Sequence, residues 1–456
     1  MKPALQPLVH DRRSACPGLF RMAQARDGGI CRVKLTFGNV TSNQMTGIAE
    51  AAEQFGNGIV DITNRANVQI RGIRPDSEDM LVDGLLELGL GPLTDKGDDV
   101  RNVMISPLAG LDKGKFDIRP LATRVLTALQ TSPSYQKLSP KFCIQIDGGE
   151  SIAMVSHPHD LWLSPVNSGN PRAGFSFGIA GTPPVLAEDF PALGLVNVEH
   201  TFELVTTVLD IFIEWNARNP DASRLRHMLA DIGNEAFTRL LEQRLGTTVQ
   251  HPDLYYWRRE MPLASGHFGI VDTSNAGHCM VGAMPPLGRL SPDMLRSLTA
   301  IADRHGCGTV QLTPWQSVLL PGVAIERAGE TLKALHALGL VSDPREPIAT
   351  MISCSGSAGC KSALAATQSD GIRLAALLAG KPDIPQIHLT GCSKSCASPL
   401  AKPLTLVATS EGHYDIFLYA TNGPSRFGKL LASNRTIEES ADLIGTNFGS
   451  GGPSHA

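Results

Sequence analysis

The feature that most constrains this chain is that it contains itself twice. Sliding the sequence by 250 positions aligns residues 38–90 with 288–340 without a gap and gives 12 identities in 53 positions, against about 3 expected from average composition. The matches concentrate where backbone geometry is demanding: Gly38/Gly288, Gly56/Gly306, Gly58/Gly308, Gly72/Gly322 and Gly89/Gly339. Thr63/Thr313, Val60/Val310, Val68/Val318 and Leu85/Leu335 pair as well. A chain duplicated in this way is expected to fold as two copies of one unit.

The local grammar repeats even where the letters differ. Thr41 and Ser291 are natural N-caps, and Pro292 sits at a first helical position. Met45, Ile48, Ala52 and Phe55 fall on one helical face, as do Leu295, Leu298 and Ala302. Gly56 and Gly306 stop each helix. Strands follow at Ile59–Ile62 and Thr309–Leu312, then Val68–Ile73 and Val318–Val323, then a second amphipathic helix ending near Gly89 or Gly339. With a leading strand at Ile30–Phe37 or Cys279–Met284, each copy reads strand–helix–strand–strand–helix, a ferredoxin-like α+β unit. Fainter likenesses continue: residues 103–106 against 351–354, and 144–148 against 387–391. The expected fold is therefore α+β with pseudo-twofold duplication, each repeat a ferredoxin-like module followed by an α/β module. The boundaries are expected at 1–95, 96–270, 271–345 and 346–445, with two long helices inside 200–245 and a disordered tail at 446–456.

Length matters here because 456 residues exceed one ordinary core and suggest roughly two to four domains. A net charge of −4 points to neither nucleic acid nor a membrane surface. No apolar stretch reaches signal-peptide or membrane-span length, so a cytoplasmic location is expected. In such a compartment nine cysteines are better read as metal ligands, reactive thiols or core residues than as disulfides.

Four of them form two short pairs, Cys354-x5-Cys360 and Cys392-x3-Cys396, separated by 31 residues. Thiolates are soft ligands for iron–sulfur clusters, zinc or copper(I). Structural zinc sites usually show two to four intervening residues in each pair, so the x5 spacing fits zinc less well. Four cysteines are the complement of one [4Fe–4S] cluster. Ser355, Gly356, Ser357, Ala358, Gly359, Ser393 and Ser395 keep both loops small, so that backbone amides can reach cluster sulfurs. A helix over Ser362–Leu378 and a strand over Gln386–Leu389 would return the second pair to the first. Incidental buried cysteines and a zinc site remain the plainer readings.

At this point the chain resembles the nitrite/sulfite reductase superfamily, over a stretch from about Cys16 to Cys396. That family has a twofold repeat of these two modules and carries C-x5-C…C-x3-C in its second half. Within it, SACPGLFRM, DGGICRVKL, DITNRANVQIRGI, LTPWQSVLLPG and RLRHMLADIG are most similar to the precorrin-3B synthase branch. The resemblance implies an oxygen-dependent monooxygenase of aerobic cobalamin biosynthesis. It would hydroxylate precorrin-3A and close a γ-lactone, using dioxygen, a [4Fe–4S] cluster on Cys354, Cys360, Cys392 and Cys396, a mononuclear non-haem iron, and electrons from an NADH-dependent reductase. Cys396 is the position that bridges to siroheme iron in the reductases. The family's catalytic and substrate-binding cations correspond to Arg65 in Thr63-Asn64-Arg65, Arg101 in Arg101-Asn102-Val103, and Lys141 in Pro140-Lys141-Phe142-Cys143. Arg71, on the neighbouring strand, is a further carboxylate-binding candidate.

Pro140 and Cys143 stand where the family's reductases have an arginine and a second lysine. Two cations are lost from a pocket that must hold an oxyanion, which weakens a nitrite or sulfite reductase with siroheme as the alternative. An iron–sulfur electron-carrier subunit is a further alternative. For a mononuclear iron, His157, His159 and His388 are the available imidazoles, and Lys34 and Trp315 are weak pocket candidates; each has a plainer reading as a core or loop residue.

Overall fold

The computed structural model describes residues 16–166, 174–246, 249–250, 254–398, 400–420 and 423–448. The repeat is carried into the backbone. Helix Ser42–Gln54 is capped by Thr41, which accepts from the Gln44 amide at 3.3 Å while the Gln44 side chain accepts from the Thr41 amide at 3.1 Å. Helix Pro292–His305 starts the same way, with Ser291 accepting from the Met294 amide at 3.2 Å.

Even the unusual φ angles recur 250 residues apart: Phe37 at 56° and Leu287 at 53°, Ala66 at 54° and Gln316 at 65°. Four non-glycine residues in the left-handed region, paired by the repeat, mark turns that surrounding contacts must over-determine. The leading strand of the first copy accordingly ends at Val33 rather than Phe37, because residues 36–38 curl into this turn. Gly38 cannot be replaced there without a clash, since a Cβ would stand 2.5 Å from the Leu312 carbonyl oxygen.

The two ferredoxin-like modules are not separate bodies. Arg289–Leu290 leaves the second copy to pair with Val60–Ile62 of the first, Arg289 opposite Asp61. Asn39–Thr41 in turn pairs with Thr309–Leu312, Val40 opposite Val310. Helices Ser42–Gln54 and Pro292–His305 pack on each other, and a single apolar cluster runs through Met45, Ile48, Val60, Ile70, Leu295, Leu298, Val310 and Leu320. The ferredoxin-like modules expected at 1–95 and 271–345 thus share one core, separate from that of residues 100–249 between them. The physical reason is that each helix buries apolar side chains against the helix of the other copy as well as against its own sheet.

The α/β modules repeat one sheet. In the first, Val103–Met104, Ile144–Ile146 and His159–Val166 run parallel, followed by antiparallel Gly174–Gly181 and Gly194–Asn197. In the second, Met351–Ser353, Ile387–Thr390 and Leu404–Ser410 run parallel, followed by antiparallel His413–Leu418 and Lys429–Arg435. Residues 200–245 form three helices rather than two, Thr201–Arg218, Leu225–Ile232 and Asn234–Leu245, because Gly233 at φ 77° interrupts the second. Helix Ile437–Phe448 extends into the stretch expected as a tail; residues 449–456 lie outside the described residues. Among the described residues no helix is long and apolar enough to cross a membrane.

Candidate functional site

The two cysteine pairs are brought together by the parallel strands Met351–Ser353 and Ile387–Thr390. Cys354 follows the first strand, its amide donating to the Leu389 carbonyl at 3.3 Å. A single helical turn, Gly356–Gly359, then presents Cys360, whose amide donates to the Gly356 carbonyl at 2.9 Å. Residues 361–366 fold back across the second pair instead of starting the expected helix, which runs over Thr367–Leu377. Leu364 donates its amide to the Gly391 carbonyl at 2.8 Å, and the Gly391 amide donates to Cys354 Sγ at 3.3 Å. The Cys392–Cys396 turn is closed by the Thr390 hydroxyl donating to the Cys392 carbonyl at 2.9 Å and by Ser395 at φ 55°.

Cys354, Cys360 and Cys392 all lie within electrostatic range of Cys396. Burial raises the Cys396 thiol above the ordinary range, and Cys392, Cys360 and Cys354 then add to the rise. All nine cysteines are free thiols. Among the described residues, no three His, Cys, Asp or Glu side chains close on a point that one metal ion could occupy. Zinc needs its four ligands within roughly 2.3 Å of one centre, whereas a cubane spreads its thiolates around eight atoms. Three thiols within electrostatic range of a fourth, an amide already donating to one sulfur, and small residues throughout both loops fit the donor set of a [4Fe–4S] cluster.

Beside the cysteine loops lies a cleft of about 310 Å³ that touches three parts of the chain. Ile352, Gln386, Ala397 and Lys402 line it from the cysteine module, Ala153–Ser156 from the first α/β module, and Asn64, Trp315 and Gln316 from the two ferredoxin-like tips. Trp315 occupies the repeat position of Arg65 and stacks on His267, with ring centroids 4.7 Å apart and planes 7° from parallel. Across Pro314 a narrower cavity is lined by Arg65, Arg101, Asn102 and Cys143.

The cations expected at the pocket divide sharply. Among the described residues Arg65 has no carboxylate partner; its guanidinium donates to the Lys141 carbonyl at 3.2 Å and reaches Asn102 Oδ1 at 3.5 Å. Lys141 is exposed and likewise forms no ion pair among the described residues. Arg101 lines the cavity but is largely neutralised by Asp98 at 2.8 Å, with the Gly91 and Leu90 carbonyls at 2.9 and 3.2 Å. Among the described residues its Nε has no hydrogen-bond partner. Arg71 does not face either cavity's lining: it is 3% exposed and is used up on Asp27, Asp61 and the Gly359 carbonyl. The expectation that it binds a substrate carboxylate is corrected on that ground. Lys34 is buried on the Asp98 carbonyl, and burial pushes its ammonium down to about 8.

Cys143 lines the Arg65 cavity as a neutral thiol, burial holding it above the ordinary range. Its amide donates to Asp160 Oδ2 at 3.1 Å, and Asp160 is held by Arg224 Nε at 2.9 Å. His157 and His159 stand 5.1 Å apart, both pushed down to about 3, chiefly by burial. They are neutral imidazoles beside Arg65, and among the described residues His159 has no hydrogen-bond partner at either nitrogen. No third side chain joins them, so the described residues assemble no three-ligand set for a mononuclear iron. His388 is fully buried on its strand, its two nitrogens without a hydrogen-bond partner among the described residues, and burial pushes it down to about 4. Sequence reasoning passed over Lys402, His267 and the Asp160–Arg224 pair, none of which has a spacing signal.

In the first copy the cysteine positions are closed by other chemistry. Ser106, the counterpart of Cys354, donates to the Ile152 carbonyl at 2.6 Å. Where the second copy carries Thr390 to Ser393, the first carries Asp147 to Glu150, with Asp147 gripped by buried Arg259 at 3.0 Å.

Two family models match this chain. The nitrite/sulfite reductase ferredoxin-like half domain matches residues 23–88 and again 272–338. The nitrite and sulphite reductase 4Fe-4S domain matches residues 96–249, which is the copy without the cysteine pairs. The chain belongs to the nitrite/sulfite reductase family. It is similar to a ferredoxin–nitrite reductase of Synechococcus elongatus, 28% identical over 97% of this chain and 90% of that one. It is equally similar to a precorrin-3B synthase of Sinorhizobium sp, 28% identical over 96% of this chain and 93% of that one. The Mycobacterium tuberculosis NirA protein shares the fold, with a TM-score of 0.73, 21% identity, and 91% of this chain and 79% of that chain covered. Members of this family are oxidoreductases, and the duplicated ferredoxin-like plus α/β architecture read from the repeat is the family's own.

Proposed function

We propose that this member of the family is a precorrin-3B synthase-type monooxygenase acting on an anionic tetrapyrrole. The observation that carries the reading is the charge of the Arg65 cavity. Cys143 is a neutral thiol there and Arg101 is balanced by Asp98, while His157 and His159, near Arg65 but outside the cavity's lining, are neutral and add no cation. An enzyme that reduces nitrite or sulfite must bind an oxyanion and deliver many protons to it, which calls for a dense cluster of cations. A single unpaired guanidinium suits one carboxylate arm of a large apolar ring.

In this reading Cys354, Cys360, Cys392 and Cys396 hold a [4Fe–4S] cluster, which supplies electrons one at a time when bound. Arg65 and Lys141 fix acidic arms of precorrin-3A, and the stacked Trp315 and His267 provide a flat wall for the ring. The net reaction inserts one atom of dioxygen into the substrate. The other leaves as water, with two electrons from an NADH-dependent reductase and two protons, while an acetate arm closes the γ-lactone. The mononuclear iron has no complete ligand set among the described residues, so no step is assigned to it.

A siroheme nitrite reductase is the second reading, favoured by the equal similarity to the cyanobacterial enzyme and by the retained Arg65. The purified, anaerobically reconstituted protein distinguishes them. The proposal expects iron and sulfide for one cluster, no siroheme absorption, and conversion of precorrin-3A in air; Cys360→Ser should lose both cluster and product. A siroheme spectrum with nitrite turnover would overturn it.

A further inference from the structure

We propose that Arg71 is a positioning residue for the Cys354–Cys360 loop, and that its charge, shared with Asp27, sets the field at the cluster those thiols would hold. The inference rests on the cluster reading above.

Gly359 lies 288 residues from Arg71, yet its carbonyl accepts from Arg71 Nη2 at 3.0 Å and from the Arg26 amide at 3.2 Å. The other edge of the same peptide is the Cys360 amide, which donates to the Gly356 carbonyl at 2.9 Å. The peptide that launches Cys360 is therefore fixed on both sides, and with it the direction of the Cys360 side chain. The approach is close enough that a Cβ on Gly359 would sit 2.4 Å from Arg71 Nη2.

The guanidinium is itself rigid. Its Nε and Nη2 each meet an Asp27 carboxylate oxygen at 2.9 Å, and Nη1 lies 3.7 Å from Asp61, which Arg289 holds at 2.8 Å. Arg71 is 3% exposed and Asp27 12%, so water screens this array weakly. Two guanidinium groups against two carboxylates leave it close to neutral. A bidentate fork with a spare N–H for a carbonyl is something lysine cannot reproduce.

The arrangement is absent from the other copy. The repeat counterparts of Arg71 and Asp27 are Pro321 and Gly277, and Pro321 lines a cavity that reaches Ser106. Only the ferredoxin-like copy that faces cysteines carries the fork.

The test compares Arg71→Gln, Asp27→Asn and Arg71→Lys in the full chain after anaerobic reconstitution, with iron and sulfide counted and the midpoint potential read by paramagnetic resonance during redox titration. Removing the cation should lower the potential and removing the anion should raise it. Arg71→Lys should keep a near-native potential while broadening the cluster signal, because charge survives and the fork does not. Loaded variants whose potentials do not move, or move in the same direction, would overturn the inference. If Arg71→Gln fails to load, the sign of the Asp27→Asn shift decides alone. A wild-type protein that takes up no cluster would instead remove the reading on which this rests.

Discussion

Gly391→Ala tests how the two cysteine loops are held against each other. A Cβ at 391 would stand 2.5 Å from Ala363 Cβ, 3.1 Å from Ala363 Cα and 3.6 Å from Cys354 Sγ. Carbon atoms prefer separations of roughly 3.5–4.0 Å, so Ala363 must retreat by about 1 Å. Ala363 is buried, and its loop is tied to residue 391 through the Leu364 amide at 2.8 Å. Overpacking of this kind costs about 1–3 kcal/mol. Weakening the Leu364 bond and the Gly391 amide's bond to Cys354 Sγ adds up to about 1 kcal/mol each. The expected loss is therefore about 1–5 kcal/mol, concentrated in the second α/β module. The assay is chemical denaturation together with iron and sulfide counted per chain after anaerobic reconstitution. Gly84→Ala serves as the control, since nothing lies within 4 Å of a Cβ there and the site is helical. A Gly391→Ala protein with wild-type stability and a full complement of iron would refute the account of the loop contact.

Two further perturbations address the scaffold. Leu298→Ala removes a fully buried side chain from the cluster that both ferredoxin-like copies share, at a cost of about 2–5 kcal/mol. Hydrogen exchange should then accelerate in Val68–Ile73 as well as in Val318–Ala324; acceleration confined to the second strand would contradict the shared core. His159, 1% exposed, has a folded pKa pushed down to about 3, so the unfolded chain takes up its proton first as pH falls below about 6.5. The stability this histidine contributes is present above that pH and is lost toward acid, by about 1.4 kcal/mol per pH unit. His159→Leu should flatten the acid limb by about 2 kcal/mol between pH 6.5 and 5 in denaturant titrations; unchanged slopes would contradict neutral burial.

Much of this fold was legible because the repeat falls on residues that geometry forces. Gly38 and Gly288, Gly58 and Gly308, and Gly72 and Gly322 all hold positive φ, so their matching in sequence reported matching turns. The meeting of the cysteine pairs was legible as well, since one helix and one strand are about the least that can return a chain to its start. The strand exchange was not: Arg289–Leu290 and Asn39–Thr41 span two and three residues, too short to show a period. Nor could pairing partners be read. Arg71 carries the look of a ligand-binding arginine, and only the fold brings Asp27 and Gly359 to it. Arg101 is the milder case, because Asp98 stands three residues away and a local ion pair could have been foreseen.

The function itself turns on where the oxygen goes. The most direct measurement is turnover of precorrin-3A by the reconstituted protein under isotopically labelled dioxygen, with NADH, a reductase and mass analysis of the product. The account predicts a lactone carrying one labelled oxygen atom, formed only when the four cysteines hold their cluster. A product without label, or no product alongside siroheme-dependent reduction of nitrite, would contradict it.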